Sequence, residues 1–281
     1  MNGLVRKGET AISRYTGAML PSRSRAVGAL AALACALVAA MSGWSERSSS
    51  HFQLYESVGF ARYSGAEGSL AFERGVLAAL EDAHKQVREQ LKVEPRNRVR
   101  VLVYAPDAFD ADYAGRFGFR AAGFWDGAIH VRGGQQLDSR LVSTLHHEYV
   151  HSALETVVPR DLWPAWLNEG MAEYFERVAL GQYHLIGPED RRLRAAVADG
   201  EWIPLSELTG PTMTGLRQAQ AELAYLESYA VVEMMFRRAG APRVQQLVRE
   251  VGRTHSPERA LASALRVDLA GLEAQLLAEL R

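Results

Sequence analysis

His146-His147-Glu148-Tyr149-Val150-His151 is followed, after 16 intervening residues, by Asn168-Glu169-Gly170. The first stretch carries the pattern His-Glu-x-x-His. That pattern has chemical meaning only on a helix, where positions i and i+4 share a face. Its surroundings predict one: Leu141, Val142, Leu145, Tyr149, Val150 and Leu154 recur at helical spacing, and Asp138 or Ser139 is available to cap the start. His147 and His151 then project side by side, one turn apart. Two imidazoles on one face can hold a zinc ion at about 2.0–2.1 Å each. Glu148 lies about 100° round the helix from His147. It is poorly placed to join the ligand set, but it can reach a water that such a metal polarises. His146 faces away from both ligand positions and reads as a packing residue.

A catalytic zinc needs a third protein ligand and an open position. The best candidate is Glu169, in Trp166-Leu167-Asn168-Glu169-Gly170-Met171-Ala172-Glu173-Tyr174-Phe175, which reads as a second helix with Pro164 near its start. Glu173 falls one turn after Glu169, where a carboxylate can accept the free N–H of a ligand histidine.

Together the two stretches resemble the gluzincin metallopeptidases, the group containing thermolysin and the zinc aminopeptidases, and look most like the small peptidase MA-like members. The resemblance is strong over Leu141 to Phe175 and weaker over Phe124 to Val131 and Glu222 to Gly240. It implies His147, His151 and Glu169 as ligands of one zinc per chain, with Glu148 as general base. It also implies an α+β fold: a thermolysin-like catalytic lobe with a small, mostly antiparallel sheet and the motif helix, then a helical C-terminal part.

Upstream, His51 to Tyr55 alternates as a strand does, and Ala66 to Leu91 reads as a long amphipathic helix that Pro95 terminates. Arg98 to Tyr104 gives a clear strand, Ala108 to Ala114 a short helix, and Phe119 to Val131 a hairpin turning at Asp126-Gly127. In gluzincins the strand beside the zinc helix is an exposed edge that pairs with substrate backbone, a general recognition mode. On that resemblance, Ala128, Ile129 and His130 are expected to bind substrate. Zinc aminopeptidases carry a Gly-x-Met-Glu-Asn pattern there. This chain has Asp126-Gly127-Ala128-Ile129-His130 and no such glutamate, which favours an endopeptidase over an aminopeptidase.

Downstream, Pro188 to Val197 reads as a charged helix, Leu205 to Gly215 as a turn-rich connection, and Glu222 to Arg238 as a strong helix ending at Gly240. Val244 to Val251 and Val267 to Leu280 read as C-terminal helices. The segment around Tyr225 and Tyr229 is similar to the aminopeptidase helix that carries an oxyanion-stabilising tyrosine. Aligning the helix ends selects Tyr225, with Tyr229 as the alternative.

At the other end, residues 1–25 hold Arg6, Lys7, Arg14, Arg23 and Arg25 against Glu9 alone, and Ala26 to Met41 is uncharged and apolar. This is the pattern of an export signal. The expectation is a signal peptide or membrane anchor over 1–42, cleaved near Ala40–Met41 or retained through 26–41. A zinc peptidase-like domain then occupies 43–281, as an α/β lobe over about 51–157 and a helical lobe over about 158–281. The serine-rich tract Ser45 to Ser50 reads as part of the export region. The only cysteine, Cys35, lies in the apolar run, so no disulfide is expected downstream of it.

The whole chain has 32 basic and 33 acidic residues, and residues 41–281 have 27 and 32, a net charge of −5. That balance disfavours nucleic acid as a partner. The reading is therefore an exported zinc peptidase, periplasmic or secreted, acting on peptide or protein substrates. The alternative is an inactive zinc-binding interaction or chaperone module of the same fold.

Overall fold

The computed structural model describes residues 44–113, 121–134, 136–213 and 215–281, with backbone alone over 58–69. The export segment at 1–42, Cys35 within it, and the expected start of the hairpin at residues 119 and 120 lie outside the described residues.

The fold is α+β, built on a mixed five-stranded sheet. Strands β1 (Trp44–Ser48), β2 (Phe52–Ser57), β3 (Val99–Tyr104), β4 (Gly123–Trp125) and β5 (Ile129–Arg132) lie in the order β1-β2-β3-β5-β4. The outer pairs, β1 with β2 and β4 with β5, are antiparallel, while β3 runs parallel to both β2 and β5. The expectation of a mostly antiparallel sheet is thus corrected. The reason is the helical crossovers. Helix α1 (Val58–Leu91) joins β2 to β3, and the segment from α2 (Pro106–Tyr113) to β4 separates β3 from β5. Such connections return the chain in the same direction.

β1 forms where the serine-rich tract reads as an export linker. Its polarity suits an edge strand. Trp44 packs edge-on against Tyr104, the Ser45 hydroxyl donates to Glu73 Oε1 at 2.7 Å, and Arg47 pairs with Oε2 of the same carboxylate.

Alternation divides the sheet's two faces. Phe52, Leu54, Val99, Val101, Val103, Ile129 and Val131 turn to the main core, which they share with Phe72, Val76, Leu80 and Val87 of α1. Tyr104, Phe109 and Phe124 form a second, aromatic cluster on the opposite face. Helix α3 (Ser139–Glu155) carries the histidine motif and packs against α1 and β4–β5. Asp138 caps it, accepting from the Leu141 N–H at 2.8 Å. Antiparallel to α3 lies α4 (Ala165–Ala179), entered through a 3₁₀ turn at Arg160–Leu162 and Pro164.

Beyond α4 the chain is helical among the described residues: α5 (Gly187–Asp199), α6 (Gln218–Ala239), α7 (Ala241–Thr254), α8 (Pro257–Leu265) and α9 (Leu269–Leu280). α8 has no counterpart in the sequence reading. It is short, and its start signal is Ser256, whose hydroxyl accepts from the Arg259 N–H. The two expected lobes share one core, since Trp166, Phe175, Tyr229 and Val244 join the same cluster as Phe52 and Val101. No helix among the described residues is long and apolar enough to cross a membrane.

One core position on α6 is charged in type. Glu227 is fully buried and accepts the Ile203 N–H at 3.1 Å, and its second oxygen has no partner among the described residues. Burial, opposed by the Ile203 N–H and reinforced by Glu273, pushes its pKa up to about 8. The folded state therefore binds this proton more tightly than the unfolded chain does. Its contribution is fully present below the unfolded pKa and is lost as pH rises through the folded one. Chemical-denaturation curves should show stability falling between about pH 4.5 and 8 with a slope of up to roughly 1.4 kcal/mol per pH unit from this group. Glu227→Gln should remove that component. An unchanged slope in the variant would show that Glu227 is ionised in the fold.

Candidate metal centre

The motif helix and α4 together lay His147, His151 and Glu169 along a cleft of about 940 Å³. The rings of His147 and His151 have centroids 5.0 Å apart at 74°. Glu169, from α4, turns Oε2 between them, 3.5 Å from Nε2 of each. Ligands about 2.0–2.1 Å from a tetrahedral ion stand about 3.4 Å apart, so this spacing is that of a tetrahedron's edges. The carboxylate is 4 % exposed.

Each ring is oriented through its other nitrogen. Nδ1 of His151 lies 3.2 Å from Oδ1 of Asn168, and Nδ1 of His147 lies 2.9 Å from Oε2 of Glu176. Those contacts take up the Nδ1 protons and leave both Nε2 lone pairs facing Glu169. Three lone-pair donors converging on one point are stable when a cation, proton or metal, is shared among them. The protonation balance agrees. Burial disfavours a charged His147, yet Glu169 and Glu176 outweigh it and raise its pKa well above the ordinary value. Burial alone would raise the Glu169 pKa, but His151 and His147 hold it far below the ordinary carboxylate range. The donor set of two imidazoles and one carboxylate suits zinc, with room for a fourth position.

Glu173, the expected partner of a ligand histidine, stands 3.9 Å from Nδ1 of His147 and is displaced from that role by Glu176. The reason is helical phase. Seven residues make nearly two full turns, so Glu176 returns to the face of Glu169, whereas Glu173 is about 40° off it. Ser143, one turn before His147, also donates to Glu176, at 2.9 Å. Burial and the charge of Glu176 push Glu173 up to about 7, and Arg177 lies 3.6 Å from its other oxygen.

Glu148 is 5 % exposed, and burial raises its pKa against the pull of His147 and His151. Both it and Tyr225 line the cleft. Burial, then the charges of Glu169, Glu173 and Glu148, raise the Tyr225 pKa, so the phenol keeps its proton and remains a donor. Tyr229 is excluded as the alternative. It is fully buried, it does not line the cleft, and the Arg177 guanidinium lies 4.1 Å over its ring.

Two close approaches bring these pieces together. A Cβ on Gly170 would stand 2.5 Å from the Ser228 carbonyl oxygen, so the absence of a side chain lets α6, with Tyr225, press against α4 beside Glu169. A Cβ on Gly123 would stand 2.9 Å from Thr144 Cγ2 and 3.1 Å from Glu148 Cγ, which brings β4 against the motif helix.

The expected substrate strand needs correction. Ala128 and Ile129 are buried, and β5 is paired on both sides, with β3 and with β4. His130 belongs to the aromatic cluster: it stacks on Phe124 at 4.5 Å, and its Nδ1 lies 2.8 Å from the Tyr104 hydroxyl. The edge is β4. Arg132 N–H donates to the Ala122 carbonyl and Asp126 N–H to the Ala128 carbonyl, so the backbone of 122 and 126 faces β5. By antiparallel alternation, the N–H and C=O of Gly123 and the N–H of Trp125 face the cleft. Trp125 is anchored by its indole N–H to Glu155, and its carbonyl accepts from Arg160 Nη1 at 3.1 Å.

No family model matches this chain, and no curated protein matches it.

The two candidate carboxylates are separable by metal affinity. In a chelator-competition titration with zinc, Glu176→Gln should weaken binding by roughly 10- to 100-fold, the usual effect of losing a hydrogen-bonded partner of a ligand. Glu173→Gln should change it by less than about threefold. The reverse order would return the orienting role to Glu173.

Proposed function

We propose that this chain is a zinc-dependent peptidase of gluzincin type, exported by its basic and apolar N-terminal segment, that hydrolyses internal peptide bonds of extended segments. The observation that carries the reading is the meeting of His147 Nε2, His151 Nε2 and Glu169 Oε2 at tetrahedral-edge spacing, with Glu148 and β4, an edge strand among the described residues, beside it.

His147, His151 and Glu169 would hold the ion. Bound there, zinc supplies Lewis acidity and brings the pKa of a coordinated water to about 7. Glu148 takes a proton from the attacking water and delivers it to the leaving amine. Its burial favours this role, because a raised carboxylate pKa narrows the gap to the proton it must accept. Tyr225, kept protonated by its surroundings, donates to the oxyanion of the tetrahedral intermediate. Gly123 and Trp125 offer main-chain hydrogen bonds to an extended segment, which aligns the scissile bond over the centre.

Glu148→Gln preserves size and removes basicity. It should leave zinc content and melting temperature unchanged while cleavage of N-terminally blocked, internally quenched peptides falls by about 10²–10⁴. Tyr225→Phe should also keep zinc and lower turnover by roughly 10²–10³. Tyr229→Phe should leave turnover close to that of the parent. If the Glu148 variant cleaves as well as the parent, or the parent holds zinc and cleaves no peptide in a broad library, the peptidase reading gives way to a zinc-binding interaction module.

A further inference from the structure

Arg160 is unused by the mechanism above, yet its guanidinium reaches two parts of the site. It leaves the 3₁₀ turn between α3 and α4 and lines the cleft. Nη1 donates to the Trp125 carbonyl at 3.1 Å, and Nη2 stands 3.7 Å from Oε1 of Glu169. Its Nε is buried with no hydrogen-bond partner among the described residues. A buried N–H left unsatisfied is costly, and this one stands beside the candidate metal centre.

We infer that Arg160 is a positioning residue that holds the outer oxygen of Glu169 and, with the same guanidinium, closes the substrate edge of β4. The inference rests on the peptidase reading for its second half and on the metal assignment for its first.

The carboxylate of Glu169 is divided between two duties. Oε2 faces both ligand nitrogens, and Oε1 faces Arg160. An oxygen held by a guanidinium is withheld from the metal, so Glu169 serves through one oxygen and leaves a coordination position for water and substrate. Arg160 also supplies positive charge beside the almost fully buried carboxylate of Glu169.

The second duty concerns register. An extended chain laid along β4 meets the N–H and C=O of Gly123 and the N–H of Trp125. The Trp125 carbonyl is already engaged by Arg160. With β4 also ending at Trp125, strand pairing is limited to a reach of about two residues, or roughly 7 Å. Beyond that point the half-exposed guanidinium presents its remaining Nη donors. A substrate carbonyl arriving there finds a charged donor in place of the next backbone N–H. The side chain thus acts as an end-stop that sets where an extended peptide comes to rest over the metal. Only arginine's planar fork can engage the Trp125 carbonyl and the Glu169 carboxylate together; lysine is a single point of charge.

The test uses the parent, Arg160→Gln and Arg160→Lys, each checked for an unaltered melting profile. Zinc affinity is read by chelator competition, which needs no turnover, and KM and kcat are read on an internally quenched peptide. Arg160→Gln should weaken zinc by roughly 10- to 100-fold and raise KM. Arg160→Lys keeps a charge near Glu169, so its zinc affinity should return to within about threefold of the parent. Its KM should stay raised by about tenfold or more with kcat little changed, because the edge is no longer closed. Parental zinc affinity in Arg160→Gln overturns the hold on Glu169, and a parental KM in Arg160→Lys overturns the end-stop. If Arg160→Gln fails to fold, Arg160→Lys still decides the KM question. A parent that binds no zinc defeats the metal assignment itself, which is a different failure from a zinc-loaded parent whose Arg160 variants behave as it does.

Discussion

A carboxylate placed almost out of reach of water is the constraint on which this site depends. Glu169 is 4 % exposed, and an ionised group so buried is tolerated only with close, well-directed partners. His147 and His151 stand 3.5 Å from one of its oxygens, and Arg160 stands 3.7 Å from the other. Each partner imposes a demand on the chain. The two histidines must share a face of α3, which fixes their spacing at one turn. Their far nitrogens must be tethered, which requires Asn168 and Glu176. Arginine must arrive from the turn between α3 and α4, which fixes the length of that connection. Gly170, next to Glu169, must carry no side chain, because the Ser228 carbonyl of α6 occupies the space a Cβ would need.

The same helix face carries a second electrostatic problem. Glu169, Glu173 and Glu176 crowd one side of α4, and three neighbouring carboxylates do not ionise independently. The fold divides them by role. Glu176 stays ionised, because burial is outweighed by His147 and Ser143, which donate to it. Glu173, pushed up to about 7, is the first of the three to take up a proton as pH falls, and it leans on Arg177. Arg177 in turn pairs with Glu189 of α5 at 2.6 Å. His147, Glu173 and Glu176 are also close enough together to suggest a second cation site. The imidazole would have to give up its Nδ1 hydrogen bond to Glu176 to form it, and that bond is what aims Nε2 at Glu169. The arrangement favours one ion per chain.

What the sequence made legible follows from the range of the interactions. The meeting of His147, His151 and Glu169 was readable because the two histidines are one turn apart and Glu169 sits in its own apolar helical pattern. α1, α3, α4 and α6 were readable for the same reason. Glu176 was within reach of the same logic, since two turns from Glu169 is as regular a signal as one, yet one-turn spacing drew attention to Glu173. Tyr225 and Tyr229 could not be told apart by periodicity, since one turn separates them. Their difference arises from where Arg177 lies in space. Arg160 gave no signal at all, because its two contacts are 35 and 9 residues away along the chain and belong to no repeating pattern. β1 was misread because an edge strand fastened by Ser45 and Arg47 to a buried glutamate has the composition of a linker.

The hairpin shows the limit most clearly, and its resolution bears on how substrates are told apart. Alternation identifies two strands and a turn, but it cannot say which of the two is outermost. That is decided by β3, which pairs in parallel with β5 and leaves β4 at the margin. On the proposed reading, the groups offered to substrate by this wall are then main-chain groups of Gly123 and Trp125, and Gly123 brings no side chain into the cleft. Main-chain pairing holds any extended peptide alike and cannot discriminate among side chains. On that reading discrimination would fall to other side chains lining the cleft, among which Met213 and Leu216 offer apolar contact and Arg192 and Glu222 offer charge. Those side chains come from the connection before α6 and from α5 and α6 themselves, segments whose sequence carries no catalytic pattern. On that reading the chemistry and the specificity of this cleft would be supplied by different parts of the chain, and only the first of them is written in local spacing.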